Sequence, residues 1–270
     1  MSKLGIKKNT RSNAITYLIV IVAFVLFTIL SNGGVLGRKT VGLLVPACCY
    51  IVMAISLNLT VGILGELSLG HAGFMSVGAF AGVVASTGLS STITSAPLRL
   101  AVAMVIGALF AAIAGFLIGI PVLRLRGDYL AIVTLAFGEI IKEIISCLIV
   151  GTDEKGLHIV FNYNGAKTVD DLGLTPTGTA IIKGAQGATG TQTIASFTAG
   201  FVLIMVALVI VLNFVNSRSG RAVMAIRDNR IAAESVGINI TKYKMIAFTI
   251  SAAIAGAAGA LYGLNYSNIT

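Results

Sequence analysis

Charge is scarce in this chain, and the scarcity excludes more than any single motif does. Only 11% of the 270 residues are charged, 56% are hydrophobic, and the mean hydropathy is +0.96. An average soluble domain is about 25% charged and roughly 45–50% apolar. So few charges cannot cover so much apolar surface in water. A soluble enzyme, a disordered tail and a secreted disulfide scaffold are therefore excluded. Cysteine is scarce too: Cys48, Cys49 and Cys147 all lie inside apolar runs. That pattern suits small buried hydrophobes rather than a disulfide framework or a metal site. His71 and His158 are the only histidines. No Gly-x-x-x-x-Gly-Lys-Ser/Thr, His-Glu-x-x-His or Gly-x-Ser-x-Gly occurs, so ATP binding by the chain itself is not indicated and a membrane hydrolase is disfavoured. Gly184, Gly187 and Gly190 form no phosphate loop, because no Lys-Ser/Thr follows them.

What is present is a series of apolar runs. A bilayer core needs about 20 apolar residues per helix. Seven candidates meet or approach this: Ala14–Leu30, Val41–Ile63, Leu69–Thr87, Leu98–Leu123, Tyr129–Val150, Thr193–Val215 and Met245–Leu264. The runs are continuous rather than alternating, which selects helices over a β-barrel. The expected fold is an all-α, polytopic transmembrane bundle of about seven spans, with residues 1–270 as one membrane domain. The first run follows Lys3, Lys7, Lys8 and Arg11 and resembles a signal peptide, but Ser31-Asn32-Gly33 is a poor cleavage site, so an uncleaved helix is preferred.

The net charge of +9 arises from 19 Lys+Arg against 10 Asp+Glu. The basic residues sit between apolar runs instead of on one soluble face, which argues for membrane orientation and against nucleic acid. A cytoplasmic N-terminus places twelve Lys/Arg inside and six outside. Two polar segments then fall on opposite sides. Residues 151–192 are exoplasmic, and either contact something outside or form a flexible loop. Residues 216–244 are cytoplasmic. Within them Ala222, Val223 and Ile226 share one helical face, Arg221, Arg227, Asp228 and Arg230 lie around it, and Gly237 suits a helix end. This describes a short amphipathic helix, lying on lipid headgroups or docking a cytoplasmic partner.

Ionisable residues also occur within the runs. Glu139, Lys142 and Glu143 share one face of the fifth by their i, i+3, i+4 spacing. An unpaired charge at mid-bilayer costs roughly 2.5 kcal/mol or more, so they should face other helices or water. They form either part of a polar path or a self-compensated cluster. Gly78/Gly82, Gly115/Gly119 and Gly259/Gly263 permit close helix approach. Gly62, Gly65, Gly70 and Gly73 are dense enough to break a helix, as transporters do at binding sites, and Glu66, Ser68 and His71 lie beside that break.

Three stretches resemble the permease subunits of bacterial ABC importers for branched-chain amino acids, of the high-affinity leucine/isoleucine/valine type. They are Ile55-Ser-Leu-Asn-Leu-Thr-Val-Gly62 running into Leu67-Ser-Leu-Gly-His-Ala-Gly-Phe74, then Leu123-Arg-Leu-Arg-Gly-Asp-Tyr-Leu-Ala-Ile-Val-Thr-Leu-Ala-Phe-Gly-Glu139, then Ser219-Gly-Arg-Ala-Val-Met-Ala-Ile-Arg-Asp-Asn229 with Ala232-Ala-Glu-Ser-Val-Gly-Ile-Asn239. The resemblance spans about Val41–Gly263. It implies a transport subunit in the bacterial inner membrane, without catalysis, cofactor or metal of its own. Partners implied are a second homologous permease, two ATP-binding subunits, an exoplasmic substrate-binding protein and membrane lipid. In such importers an Ala-Ala…Gly loop docks into the ATPase. That role falls here on Ala232, Ala233 and Gly237, with Arg221, Ile226, Arg227 and Glu234 beside them. The expected path residues are Glu66, Ser68, Gly70, His71, Glu139, Lys142 and Glu143. Two departures accompany the likeness. Gly151-Thr-Asp-Glu-Lys-Gly156 lacks the family's Gly-Gly pair, and relatives continue past the position of Gly263, so an incomplete copy is expected. Permeases of the same kind also carry urea, short amides or other amino acids. The rival readings are an ion-coupled secondary transporter with Glu139 and Glu143 as carriers, and a non-transporting scaffold. The basic 216–244 segment favours ATPase docking over the former.

Overall fold

In hydrocarbon every backbone N–H and C=O must be satisfied within the chain, so long apolar runs become helices. The computed structural model describes residues 2–34, 37–90, 92–125, 127–153, 156–162, 167–175 and 178–269, the side chains of 2–12 and 128 excepted. The long helices are α1 (Ser2–Asn32), α2 (Arg38–Asn58), α3 (His71–Gly88), α4 (Ala96–Val122), α5 (Asp128–Ser146) and α6 (Phe197–Asn216). Two short helices, α7 (Arg218–Asp228) and α8 (Arg230–Ser235), precede the long α9 (Ile240–Gly263). Five segments are long and apolar enough to cross a bilayer by themselves: Asn13–Asn32, Arg38–Leu64, Ala96–Val122, Phe197–Asn216 and Ile240–Gly263. The shorter α3 and α5, at 18 and 19 residues, pack beside them.

The fifth apolar run does not stay helical to Val150. Helix α5 ends at Ser146, and Leu148–Asp153 turns into strand β1. The segment expected as an exoplasmic loop folds with it. Strands β2 (Gly156–Phe161), β3 (Thr179–Lys183), β4 (Ala188–Thr189) and β5 (Asn268–Ile269) complete an antiparallel sheet in the order β2-β1-β3-β4-β5. The bundle is therefore mostly helical, as expected, and carries a small sheet at one end. The physical reason is burial: Val150, Ile181, Ile182 and Ala188 join Val83, Leu100 and Leu264 in one apolar cluster, which caps the ends of α3, α4 and α9. A flexible loop could not bury those side chains. Helix α6 runs from the sheet end to α7 and α8, and α9 returns from there to the sheet.

Helix α9 is central: 67% of its apolar window is buried, against none of that of α1. Lipid tails are as apolar as leucine, so helix association here rests on van der Waals contact and favours small residues. Between α3, α4 and α9 the backbones touch. A Cβ on Gly259 would lie 1.9 Å from the Met75 carbonyl oxygen, and one on Gly78 would lie 2.1 Å from that of Gly256. The small-residue pairs read from the sequence thus sit where α3, α4 and α9 approach one another closely.

Candidate functional site: a hinge at the α2–α3 break and the α7–α8 hairpin

The hairpin is built from caps. The Ser217 hydroxyl accepts from the Gly220 N–H at 3.1 Å to start α7, the Asn229 side chain accepts from the Ala232 N–H at 3.1 Å to start α8, and Asn239 accepts from the Lys242 N–H at 3.0 Å to start α9. Each cap satisfies a backbone donor that the helix leaves orphaned. Gly237, at φ +82°, ends α8 in the left-handed conformation. Helix α9 begins at Ile240, so Lys242 and Lys244 belong to it and not to the loop.

The seven residues expected to couple do not share one surface. Ile226 and Ala233 are buried with Ile240 in a small core that holds α7, α8 and α9 together. Arg221, Ala232, Glu234 and Gly237 are exposed. Arg227 lies on the surface but turns inward: it donates to the Gly62 carbonyl at 2.8 Å, and its guanidinium also bonds Asp228 at 3.0 Å. The sequence reading missed the two most exposed large apolar side chains of the hairpin, Ile231 (81% exposed) and Val236 (75%). The available signal was an isolated aliphatic in an otherwise small or charged segment.

The glycine-dense stretch does break the helix. After Asn58 the chain runs as a π-helix, Leu59–Leu64, and stops at Gly65 with φ +78°. Single π turns inside helices frequently mark functional positions. A Cβ on Gly65 would meet Arg227 Cγ at 2.6 Å, so the break is packed directly under α7. It adjoins the α7–α8 end of the bundle. Glu66 forms a buried ion pair with Lys244; their side chains are 15% and 5% exposed. The Leu69 N–H donates to the Thr134 hydroxyl at 3.1 Å, and Gly70 abuts the Thr134 carbonyl. The Ser68 hydroxyl is buried without a partner among the described residues.

Deeper along α9, about 10 Å from Lys244 at 1.5 Å per residue, lies a second polar cluster. The Ser56 hydroxyl donates to the Ser251 carbonyl, and the Ser251 hydroxyl to the Ser56 carbonyl, each at 2.6 Å. Both hydroxyl hydrogens are thereby spent, so the contact between His71 Nε2 and Ser56 Oγ at 2.8 Å requires Nε2 to carry the proton. Nδ1 is then a bare acceptor, and it has no partner among the described residues. The helices α2, α3 and α9 meet at this cluster.

Glu139, Lys142 and Glu143 stand apart from it. Lys142 pairs with Glu139 at 3.0 Å, with side chains 66% and 62% exposed, and Glu143 is exposed beside them. The expected path residues thus divide into a buried group at the α2–α3 break and a charged outer face on α5. No cluster of three metal-ligating side chains occurs among the described residues.

Residues 39–270 match the family of branched-chain amino acid transport system permease components, and the chain belongs to that family. It is similar to the high-affinity branched-chain amino acid transport system permease protein LivM of Escherichia coli strain K12, at 34% identity over 232 residues, which cover 84% of this chain and 52% of the relative. The LivM protein of Salmonella typhimurium strain LT2 is likewise 34% identical, over 234 residues, with the same coverage of each chain. The probable branched-chain amino acid transport permease protein LivM of Methanocaldococcus jannaschii is 25% identical over 249 residues, covering 82% of this chain and 66% of the relative. The chain spans about half the length of the first two relatives. No solved structure matches it. Family and helices together make it a multi-pass membrane protein of the permease type.

Proposed function

We propose that the chain acts as a membrane-spanning permease subunit of an ABC importer for branched-chain amino acids. It forms the path with a second homologous permease, is driven by two separate ATP-binding subunits, and receives substrate from an exoplasmic binding protein at its sheet end. The N-terminus and the α7–α8 hairpin face the cytoplasm. The observation that carries this reading is the hairpin itself: it presents Ile231 and Val236 beyond the apolar spans while Arg227 holds the Gly62 carbonyl at the helix break. The exposed pair supplies an apolar contact for a cytoplasmic subunit, and Arg227 links that contact to the α2–α3 hinge. Nucleotide then acts through its differential affinity for two arrangements of the complex, moving the spans largely as rigid bodies. The charged face of α5 lies against the second permease or the water-filled path, since lipid would be a costly neighbour for it.

The test is reconstitution of the complex in sealed vesicles. Uptake of a branched-chain amino acid should require nucleotide and persist when the proton gradient is collapsed. Uptake that follows the gradient and ignores nucleotide would establish ion coupling instead. Transport of urea or short amides, with no transport of branched-chain amino acids, would keep the mechanism and replace the substrate.

A further inference from the structure

The sheet end holds a cavity of about 490 Å³ between the end of α3 and strands β3 and β4. Its size falls within the roughly 300–1,000 Å³ of small-molecule sites. The groups that face it are unequal. Thr87, Ser90 and Thr191 line it, but their hydroxyls already donate to the carbonyls of Val83, Thr87 and Tyr266. Besides Thr179, three other side chains remain to serve a ligand. The Lys183 ammonium forms no ion pair among the described residues. The Thr189 hydroxyl is buried and has no partner among them. The Gln192 amide has a forced orientation: Arg99, which can only donate, gives an Nη2 hydrogen bond of 2.6 Å to its oxygen, so its NH₂ is left to donate. Arg99 is itself only 7% exposed and has no carboxylate partner among the described residues, so a buried positive charge stands behind that amide.

No carboxylate lines the cavity among the described residues. Asp170 and Asp171 follow the lining residue Val169 in the chain without lining the cavity themselves; Asp171 is engaged by the Thr168 N–H at 2.6 Å. The aliphatic part of the lining comes from Val169, Ala180 and Ile181, the last of them next to Thr189 across the β3–β4 pairing. A cation, an amide donor and an unspent hydroxyl with aliphatic side chains beside them are the complement of a carboxylate joined to a small aliphatic group.

We infer that this cavity is a binding site for a small aliphatic carboxylate, with Lys183, Thr189 and Gln192 holding the anion. Resting on the proposed function, the natural occupant is the free amino acid, held at the sheet end before or after it enters the spans. Lys183 supplies the attraction. Thr189 and Gln192 give direction, and the aliphatic wall selects against polar side chains.

The experiment uses the full chain in lipid nanodiscs, with carboxyl-labelled L-leucine as the probe and acetate and L-leucinamide as competitors. Acetate should displace the label, and leucinamide, which lacks the anion, should not. Lys183→Met should weaken binding about tenfold or more, as for loss of a hydrogen bond to a charged group, whereas Lys183→Arg should retain most of it. Thr189→Val is the sharper variant. Its hydroxyl has no protein partner, so thermal unfolding should be unchanged while leucine binding weakens. Equal competition by leucinamide, unaltered affinity in Lys183→Met, or no saturable binding overturns the site. Binding seen only with a delivering protein present also overturns it, in favour of an acidic side chain on that protein. Nucleotide-driven uptake without carboxylate binding here removes this inference alone. Carboxylate binding here without nucleotide-driven uptake removes the proposed function alone.

Discussion

The α3–α4–α9 contact and the α2–α3 break share a bundle but obey opposite rules. At the first, glycine and alanine let three backbones touch, with Gly259 against Met75 and Gly78 against Gly256. At the second, a buried ion pair, a serine without a partner among the described residues and a π-helix are crowded beneath an arginine from α7. Close packing of small residues leaves no alternative arrangement nearby, since a shift of one ångström brings atoms into collision. A polar break stabilised by a few directed bonds can exchange partners. The contrast separates two kinds of contact: α3, α4 and α9 form a close-packed block to which the hairpin is fixed through Ile240, while the break after α2 meets the hairpin only through polar and glycine contacts under Arg227.

Breaking the rigid region should have the largest effect. Gly259→Val places side-chain atoms within 2 Å of the Met75 carbonyl oxygen, where a Cβ would already lie 1.9 Å away. Relief requires separating α3 from α9, so the variant should yield little monodisperse protein on size-exclusion chromatography. Next comes the buried pair. Glu66→Gln leaves Lys244 charged and unpaired in a nearly closed site, which should cost about 3–5 kcal/mol and lower the thermal unfolding midpoint sharply. The double variant Glu66→Leu with Lys244→Met should recover most of that loss, because no charge then remains buried. If the double variant is no better than the single one, the pair is not the source of the penalty.

Smaller effects sharpen the division further. Gly237→Val forces a β-branched residue to φ +82°, at a cost of about 1–3 kcal/mol confined to the hairpin. It should abolish co-purification of an ATPase subunit while membrane insertion, read by protease protection, stays normal. Ile231→Ser should weaken the same association with no change in unfolding, because the side chain touches little of its own chain. The smallest effect is expected at the outer face of α5. Lys142→Met should leave the stability of the detergent-solubilised chain unchanged, since both members of the Glu139 pair are largely exposed and such pairs contribute little. A loss of co-assembly with a second permease in the same variant would assign that face to the interface.

Much of the architecture was legible beforehand, because hydrocarbon permits few solutions. Apolar run lengths placed α4, α6 and α9 to within a few residues, and the glycine cluster located the break that Gly65 makes. The sheet was not legible. Leu148–Val150 continues an apolar helix in composition, and only its pairing with β2 and β3 makes it a strand. The one short amphipathic helix expected in the basic segment is two, α7 and α8, and its faces were not legible: Ile226 and Ala233 turned inward to meet Ile240, while Ile231 turned out.

Local chemistry determined the membrane class, the helical character, the glycine break and the membership implied by the motif stretches. Tertiary structure alone decided which charges distant in sequence meet. Glu66 and Lys244 are 178 residues apart in the chain and become partners only because α9 returns past the α2–α3 junction. Ser56, His71 and Ser251 converge for the same reason. Periodicity reports which residues share a face of one helix. Which faces oppose each other is set by packing between distant segments, and no local pattern encodes it.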